Sequence, residues 1–233
     1  MNCVVIVAGG SGSRMQAAVR KQYLDLDGRP LVAHTLMAFD RFPGLDRMIL
    51  VVPENDLEWC RDAILVPLSL DHRVQLVAGG RRRQDSVSNG LTAVGAAEGI
   101  VMIHDGVRPF VRPSLMNACL EGVRLTGACI PVIPAIDTLK QVDQSGVIIK
   151  TLDRQQIFLA QTPQTFSLDL IRRAHQLAEQ RGFTATDDAS VAEFAGKRVT
   201  VVPGDRENIK ITTLQDLLNA RTILERWRGK DFG

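Results

Sequence analysis

The chain has 233 residues, 45% hydrophobic and 23% charged, which excludes a disordered protein and fits one large α/β domain. A net charge of +2, from 28 basic and 26 acidic residues, gives no ground for a nucleic-acid or membrane-surface partner. The four cysteines, Cys3, Cys60, Cys119 and Cys129, form no C-x-x-C pair, which argues against a disulfide framework or zinc site and for a reducing compartment.

The opening MNCVVIVAGG lacks a basic segment, and its apolar run is too short for a signal peptide. No later run approaches the roughly 20 apolar residues of a membrane span. The expectation is a soluble, cytoplasmic protein.

Short apolar β-branched runs recur at residues 3–7 (CVVIV), 48–52 (MILVV), 74–77 and 100–104 (IVMIH). Unbroken runs, rather than alternating ones, predict strands covered on both faces. Helical spacing lies between them at 30–39, 85–94 and 113–124, with Pro113 suited to a first turn. This β-α order predicts a Rossmann-like, mostly parallel twisted sheet flanked by helices. The rhythm breaks at 135–164. There, 138–142 and 147–152 flank the turn residues Asp143 to Gly146 and predict a β-hairpin, either a projecting arm or an ordinary edge hairpin. Further on, 168–180 reads as a helix with Ser167 at its cap, 198–202 as a strand, and 213–227 as a helix opened by a Thr213–Asp216 capping box. With no repeat or linker, residues 1–233 form a single domain, with 136–156 as the arm.

The strongest local signal is the glycine-rich turn GGSGSRM at 9–15, directly after the first strand. Gly9, Gly10 and Gly12 let backbone N–H groups approach phosphate oxygens, and Arg14 and Lys21 add fixed positive charge. The turn lacks the Gly-Lys-Ser/Thr of a P-loop. It also lacks the third glycine of a dinucleotide fingerprint and a well-placed acidic residue, which disfavours an NAD enzyme. An isolated turn of this kind is equally a glycine bend with two solvated cations.

Further segments stand in order along the chain: KQY at 21–23, GG at 79–80 with DSV at 85–87, HDGVRP at 104–109, DR at 153–154 with TPQ at 162–164, TDDAS at 186–190 and NIKIT at 208–212. Together with the turn they resemble the 2-C-methyl-D-erythritol 4-phosphate cytidylyltransferases over nearly the whole chain. The ribitol-5-phosphate cytidylyltransferases share most of these segments and are the near alternative. A non-catalytic nucleotide-binding protein on the same fold is the distant one. The chain departs from the family pattern at Gly9, at Arg20 where a proline is common, and at Gly106 and Val107 where two alanines are common.

The resemblance implies a nucleotidyltransferase that uses CTP and a polyol phosphate. It assigns transition-state stabilisation to Arg14 and Lys21, and CTP binding to Ala8, Gly9, Gly10, Ser11, Gly12, Gly80, Asp85, Ser86 and Asp105. Ser86 is also a candidate helix cap. Asp137, Thr138, Arg154, Thr162 and Lys210 would bind the acceptor phosphate, and Thr162 before Pro163 is equally a turn residue. Asp105, at the end of a strand, is the candidate to orient Mg²⁺ or another divalent cation, directly or through water; the alternative is an ion pair with Arg108. His104 reads as structural, and Arg81, Arg82 and Arg83 as a solvated charge run. The resemblance also implies a homodimer whose arms complete the neighbouring active sites.

Overall fold

The computed structural model describes residues 1–9 and 20–228. In chain order the elements begin with β1 (Asn2–Val7), β2 (Asp25–Leu26), β3 (Arg29–Pro30), α1 (Leu31–Asp40), β4 (Arg47–Val52), α2 (Leu57–Cys60), β5 (Val74–Ala78), α3 (Arg83–Ala93), β6 (Ile100–Asp105) and α4 (Pro113–Thr126). They continue with β7 (Ala128–Pro134), β8 (Lys140–Val142), β9 (Ile148–Thr151), β10 (Phe158–Ala160), β11 (Gln164–Ser167), α5 (Leu168–Gln180), α6 (Asp188–Phe194), β12 (Thr200–Pro203) and α7 (Leu214–Arg228).

The main sheet has eight strands, ordered β10-β7-β11-β6-β1-β4-β5, with β12 on the other edge of β7. Only β10 and β11 run against the rest. The unbroken apolar runs have the expected cause. In β1, Val4 and Ile6 pack on one face with Val32, Leu36 and Phe39 of α1 and Met116 of α4. Cys3, Val5 and Val7 pack on the other with Val87 and Leu91 of α3 and Ile171 of α5. Gly90 lets α3 lie this close to the sheet, since a Cβ there would stand 2.4 Å from Val5 Cγ1. A third apolar cluster seats α7 through Leu217, Ala220 and Ile223 against Leu26, Leu31, Phe110 and Ile211. The capping box of α7 forms as the spacing predicts: Thr213 N–H donates to Asp216 Oδ2 at 2.8 Å, and Asp216 N–H to Thr213 Oγ1 at 3.1 Å.

Several elements, including the short strands β2, β3, β10 and β11, are not evident from the pattern. β7 carries Pro131 and Pro134, which argue against an inner strand. Pro131 is tolerated because its carbonyl accepts from Gln161 N–H at 2.8 Å, so its missing donor faces the irregular 161–163 segment between β10 and β11. The helical stretch 54–65 and the short α6 are likewise unpredicted. Ser167 stands at the start of α5, but its side chain makes no capping bond. The β8–β9 hairpin forms its own two-stranded sheet, and its strand residues are all exposed. Asp143 Oδ1 organises the turn by accepting from Ser145 and Val147 N–H groups, both at 2.9 Å. Among the described residues no helix is long and apolar enough to cross a membrane.

Candidate active site

The chain moves outward from β1 to β4 and β5, then returns to β6 on the other side of β1. Open α/β sheets bind ligands beyond the carboxyl ends of their strands at such a reversal. A cavity of about 370 Å³ opens there. Val7, Ala8 and Gly9 line it from the end of β1, Gly80 and Ser86 from the turn into α3, and Asp105 and Val107 from the end of β6. Lys21, Arg81, Arg82, Arg83 and Lys210 also line it, so among the described residues five cationic side chains face one carboxylate. Low-dielectric walls lined by one sign of charge concentrate a polyanion.

The β5–α3 turn is built around Ser86. Its hydroxyl accepts from Gly80 N–H at 3.0 Å and donates to the Arg82 carbonyl at 3.1 Å. Ser86 is therefore a clamp on the turn and not the helix cap. Gly80 has no substitute, because a Cβ there would fall 2.4 Å from Asp85 Cβ. The capping acceptor is Asp85, which takes Arg82 N–H at 3.0 Å and pairs with the Arg82 guanidinium at 2.6 Å. That hydrogen bond to Arg82 is the main reason its carboxyl lies below the usual range. Spent in this way, Asp85 is not among the residues that line the cavity.

Asp105 lies at the centre of the site with a side chain only 9% exposed. Lys210 Nζ stands 2.9 Å from its Oδ2, Arg83 Nε 3.4 Å from its Oδ1, and Arg108 Nε 3.6 Å from its Oδ2. Burial pushes this carboxyl up, but Arg83, Lys210 and Arg108 together hold it well below the usual carboxylate range. The expected partner Arg108 is thus the most distant of three. Arg108 instead donates through Nη1 to the Asn208 carbonyl at 2.8 Å.

The NIKIT segment aims Lys210 from both sides. Buried Asn208 donates to the Thr162 carbonyl at 2.7 Å, and Ile211 N–H to the Val107 carbonyl at 3.0 Å. Thr162 is itself buried. Its hydroxyl accepts Asp105 N–H at 3.2 Å and lies 3.0 Å from His104 Nδ1. His104 Nε2 faces the Arg108 carbonyl at 3.0 Å, so Nε2 carries the proton and Nδ1 accepts from Thr162. Complete burial lowers the His104 pKa to about 4, consistent with a neutral structural imidazole. Thr162 thus holds the turn, with its proton directed to His104.

Arg83 corrects an expectation. It is not a solvated member of an arginine run: its side chain is 31% exposed, and besides Asp105 it reaches Asp188 Oδ2 at 2.8 Å. No local signal marks this pairing, because Asp188 lies more than 100 positions away on α6. Asp137, Thr138 and Arg154 are exposed at the base of the arm, outside the cavity. The Arg154 guanidinium donates to the Ile136 carbonyl. Arg14, Gly10, Ser11 and Gly12 lie outside the described residues. Lys21 is held in a short 3-10 turn (Lys21–Tyr23) whose end is pinned by the Tyr23 hydroxyl donating to Asp56 at 2.8 Å.

The comparisons agree with this geometry. The family model described as 2-C-methyl-D-erythritol 4-phosphate cytidylyltransferase (IspD) matches residues 2–226. A protein of that name from Syntrophus aciditrophicus is 46% identical over 226 residues, covering 97% of each chain. One from Clostridium acetobutylicum is 41% identical, covering 97% of this chain and 98% of that one. The crystal structure of 4-diphosphocytidyl-2C-methyl-D-erythritol synthase from Anaerococcus prevotii superposes with a TM-score of 0.85 at 31% identity, covering 96% of both chains. With a family match spanning most of its length, near-complete relatives and the same fold, the chain belongs to the 2-C-methyl-D-erythritol 4-phosphate cytidylyltransferase family.

Proposed function

We propose that the protein transfers CMP from CTP to 2-C-methyl-D-erythritol 4-phosphate. An oxygen of the acceptor phosphate attacks the α-phosphorus of CTP. The bond from that phosphorus to the β-phosphate bridging oxygen breaks, and pyrophosphate leaves with the electron pair. Both reactants are anions, so the task is to hold them together and to neutralise charge; no protein nucleophile is needed. The observation that carries this reading is the convergence of Lys21, Arg83 and Lys210 on one cavity at the carboxyl ends of the strands.

In this reading Lys21, with Arg14, stabilises the charge that gathers on the α-phosphate. The backbone of Ala8 to Gly12 cradles the triphosphate, and Gly80 and Ser86 face the nucleoside. Lys210 takes the acceptor phosphate. Asp137, Thr138 and Arg154 reach that phosphate from the arm of a second copy, in a homodimer. Support comes from their exposure away from the cavity and from the apolar side chains beside them, Ile136, Ile148, Ile149, Phe158 and Leu159, which are all exposed in one chain.

A divalent cation fits only in part. Among the described residues Asp105 is the single carboxylate lining the cavity, and no group of three or more potential ligands gathers. That suits Mg²⁺ held by one carboxylate and the phosphates of CTP rather than by a protein cage. When bound, the ion supplies further charge neutralisation on those phosphates. Four buried free thiols fit the cytoplasm.

The test is pyrophosphate release by the purified protein with CTP and each acceptor in turn. Turnover with methylerythritol phosphate well above that with ribitol 5-phosphate is expected. Preference for ribitol 5-phosphate would overturn the substrate assignment, and no turnover with either would overturn the reaction.

A further inference from the structure

We infer that Arg83 and Asp188 act as a positioning pair that fixes the Asp105 carboxylate and, through it, the Lys210 ammonium. The inference rests on the cytidylyltransferase reading of the cavity. Asp188 is 1% exposed and lies beside Ala189, Val191 and Ala192, which pack in an apolar cluster. A carboxylate is not retained in such surroundings without a charged partner. Its partners are Arg83 Nη1 at 2.8 Å, a close ion contact rather than an aligned hydrogen bond, and His175 Nε2 at 3.3 Å. Burial pushes the Asp188 carboxyl up, yet Arg83 and His175 bring it below the usual range.

The two carboxylates that Arg83 bridges are anchored to one short segment. Thr162 Oγ1 accepts Asp105 N–H, and two residues on, Gln164 Oε1 accepts Asp188 N–H at 2.9 Å and Ala189 N–H at 3.0 Å. Their backbones are therefore held in register, and Arg83 ties the side chains across the gap. Asp105 offers Oδ1 to Arg83 and Oδ2 to Lys210. With Asp188 neutral, Arg83 is held from one side only and is free to draw Asp105 away from Lys210. A fold-stabilising ion pair would have no need to reach the cavity wall, and Arg83 is part of that wall.

The experiment is a double-mutant cycle on kcat/KM for the acceptor phosphate, using Asp188→Asn, Asp105→Asn and the combination. Asp188→Asn is expected to lose about tenfold, mostly in kcat, with KM for CTP within about twofold of wild type. In the Asp105→Asn background the further loss should fall below about twofold, because Asp188 acts through Asp105. Independent, multiplying losses would overturn the inference. Should Asp188→Asn not melt cooperatively, Arg83→Gln takes its place in the same cycle, and Arg83→Lys should recover part of the Arg83→Gln loss. Multiplying losses there, or no recovery with lysine, would equally overturn it. Wild-type turnover in the same assay separates the two levels: an inactive wild type defeats the cytidylyltransferase reading, whereas an active wild type with an additive cycle defeats only the positioning pair.

Discussion

The cavity floor and the arm are built in opposite ways. On the floor the central polar side chains are held by neighbours: Asp105 by three cations, Thr162 by His104 and the Asp105 amide, Lys210 between the anchored Asn208 and Ile211. The arm carries candidate acceptor ligands, Thr138 and Arg154, on a hairpin whose strand residues are all exposed. Its Ile148 is 57% exposed and its Ile149 58%. The described part of the floor comes from a single chain. The arm leaves apolar side chains exposed in one chain, which supports the proposal that a second copy completes the active site.

The largest effect should come from the floor. Lys21→Ala is expected to lower kcat at least about a hundredfold, an increase of about 2.7 kcal/mol or more in barrier, while cooperative melting is retained. Near-normal turnover would remove Lys21 from the reaction. A paired truncation sharpens the comparison. Ile211→Ala, in the core under Lys210, should cost about 2–5 kcal/mol in denaturant unfolding. Ile149→Ala on the arm should change the unfolding of dilute monomer by less than about 0.5 kcal/mol, yet weaken self-association in sedimentation. Equal unfolding costs at the two sites would break the distinction.

A smaller effect concerns pH. Burial holds His104 neutral down to about pH 4, whereas the same imidazole in the unfolded chain takes up its proton near pH 6.5. The unfolded state then binds more protons between those limits. The stability this group supplies is complete above pH 6.5 and drains away as pH falls to 4, by up to about 3 kcal/mol. Melting at a series of pH values should show that slope in the wild type and a shallower one in His104→Asn; identical slopes would contradict a buried neutral His104.

The legible part of the fold was the part with a local cause. β1, β4 and β6 announce themselves because both faces are buried, and α7 because Thr213 and Asp216 close their own box. β7 was hidden by two prolines whose tolerance depends on where a distant strand breaks. The same divide runs through the site. Asp105 and Ser86 stand at the ends of recognisable elements, Lys210 in the segment between β12 and α7, and all three line the cavity. Arg83 could not be separated from Arg81 and Arg82 by composition, since what distinguishes it is Asp188 on a remote helix. Thr162 and Asp85 have the right chemistry for a ligand, and the sequence does not show that within the chain they also hold turns in place.

The most direct test of a site split between floor and arm is complementation. Lys21→Ala and Arg154→Ala chains would each be purified inactive, mixed, and allowed to exchange subunits. In a two-fold dimer one of the two sites in each mixed pair is then intact, and recovery to about a quarter of wild-type turnover is expected after random exchange. Turnover that stays at the level of the separate variants, with exchange demonstrated, would contradict the account.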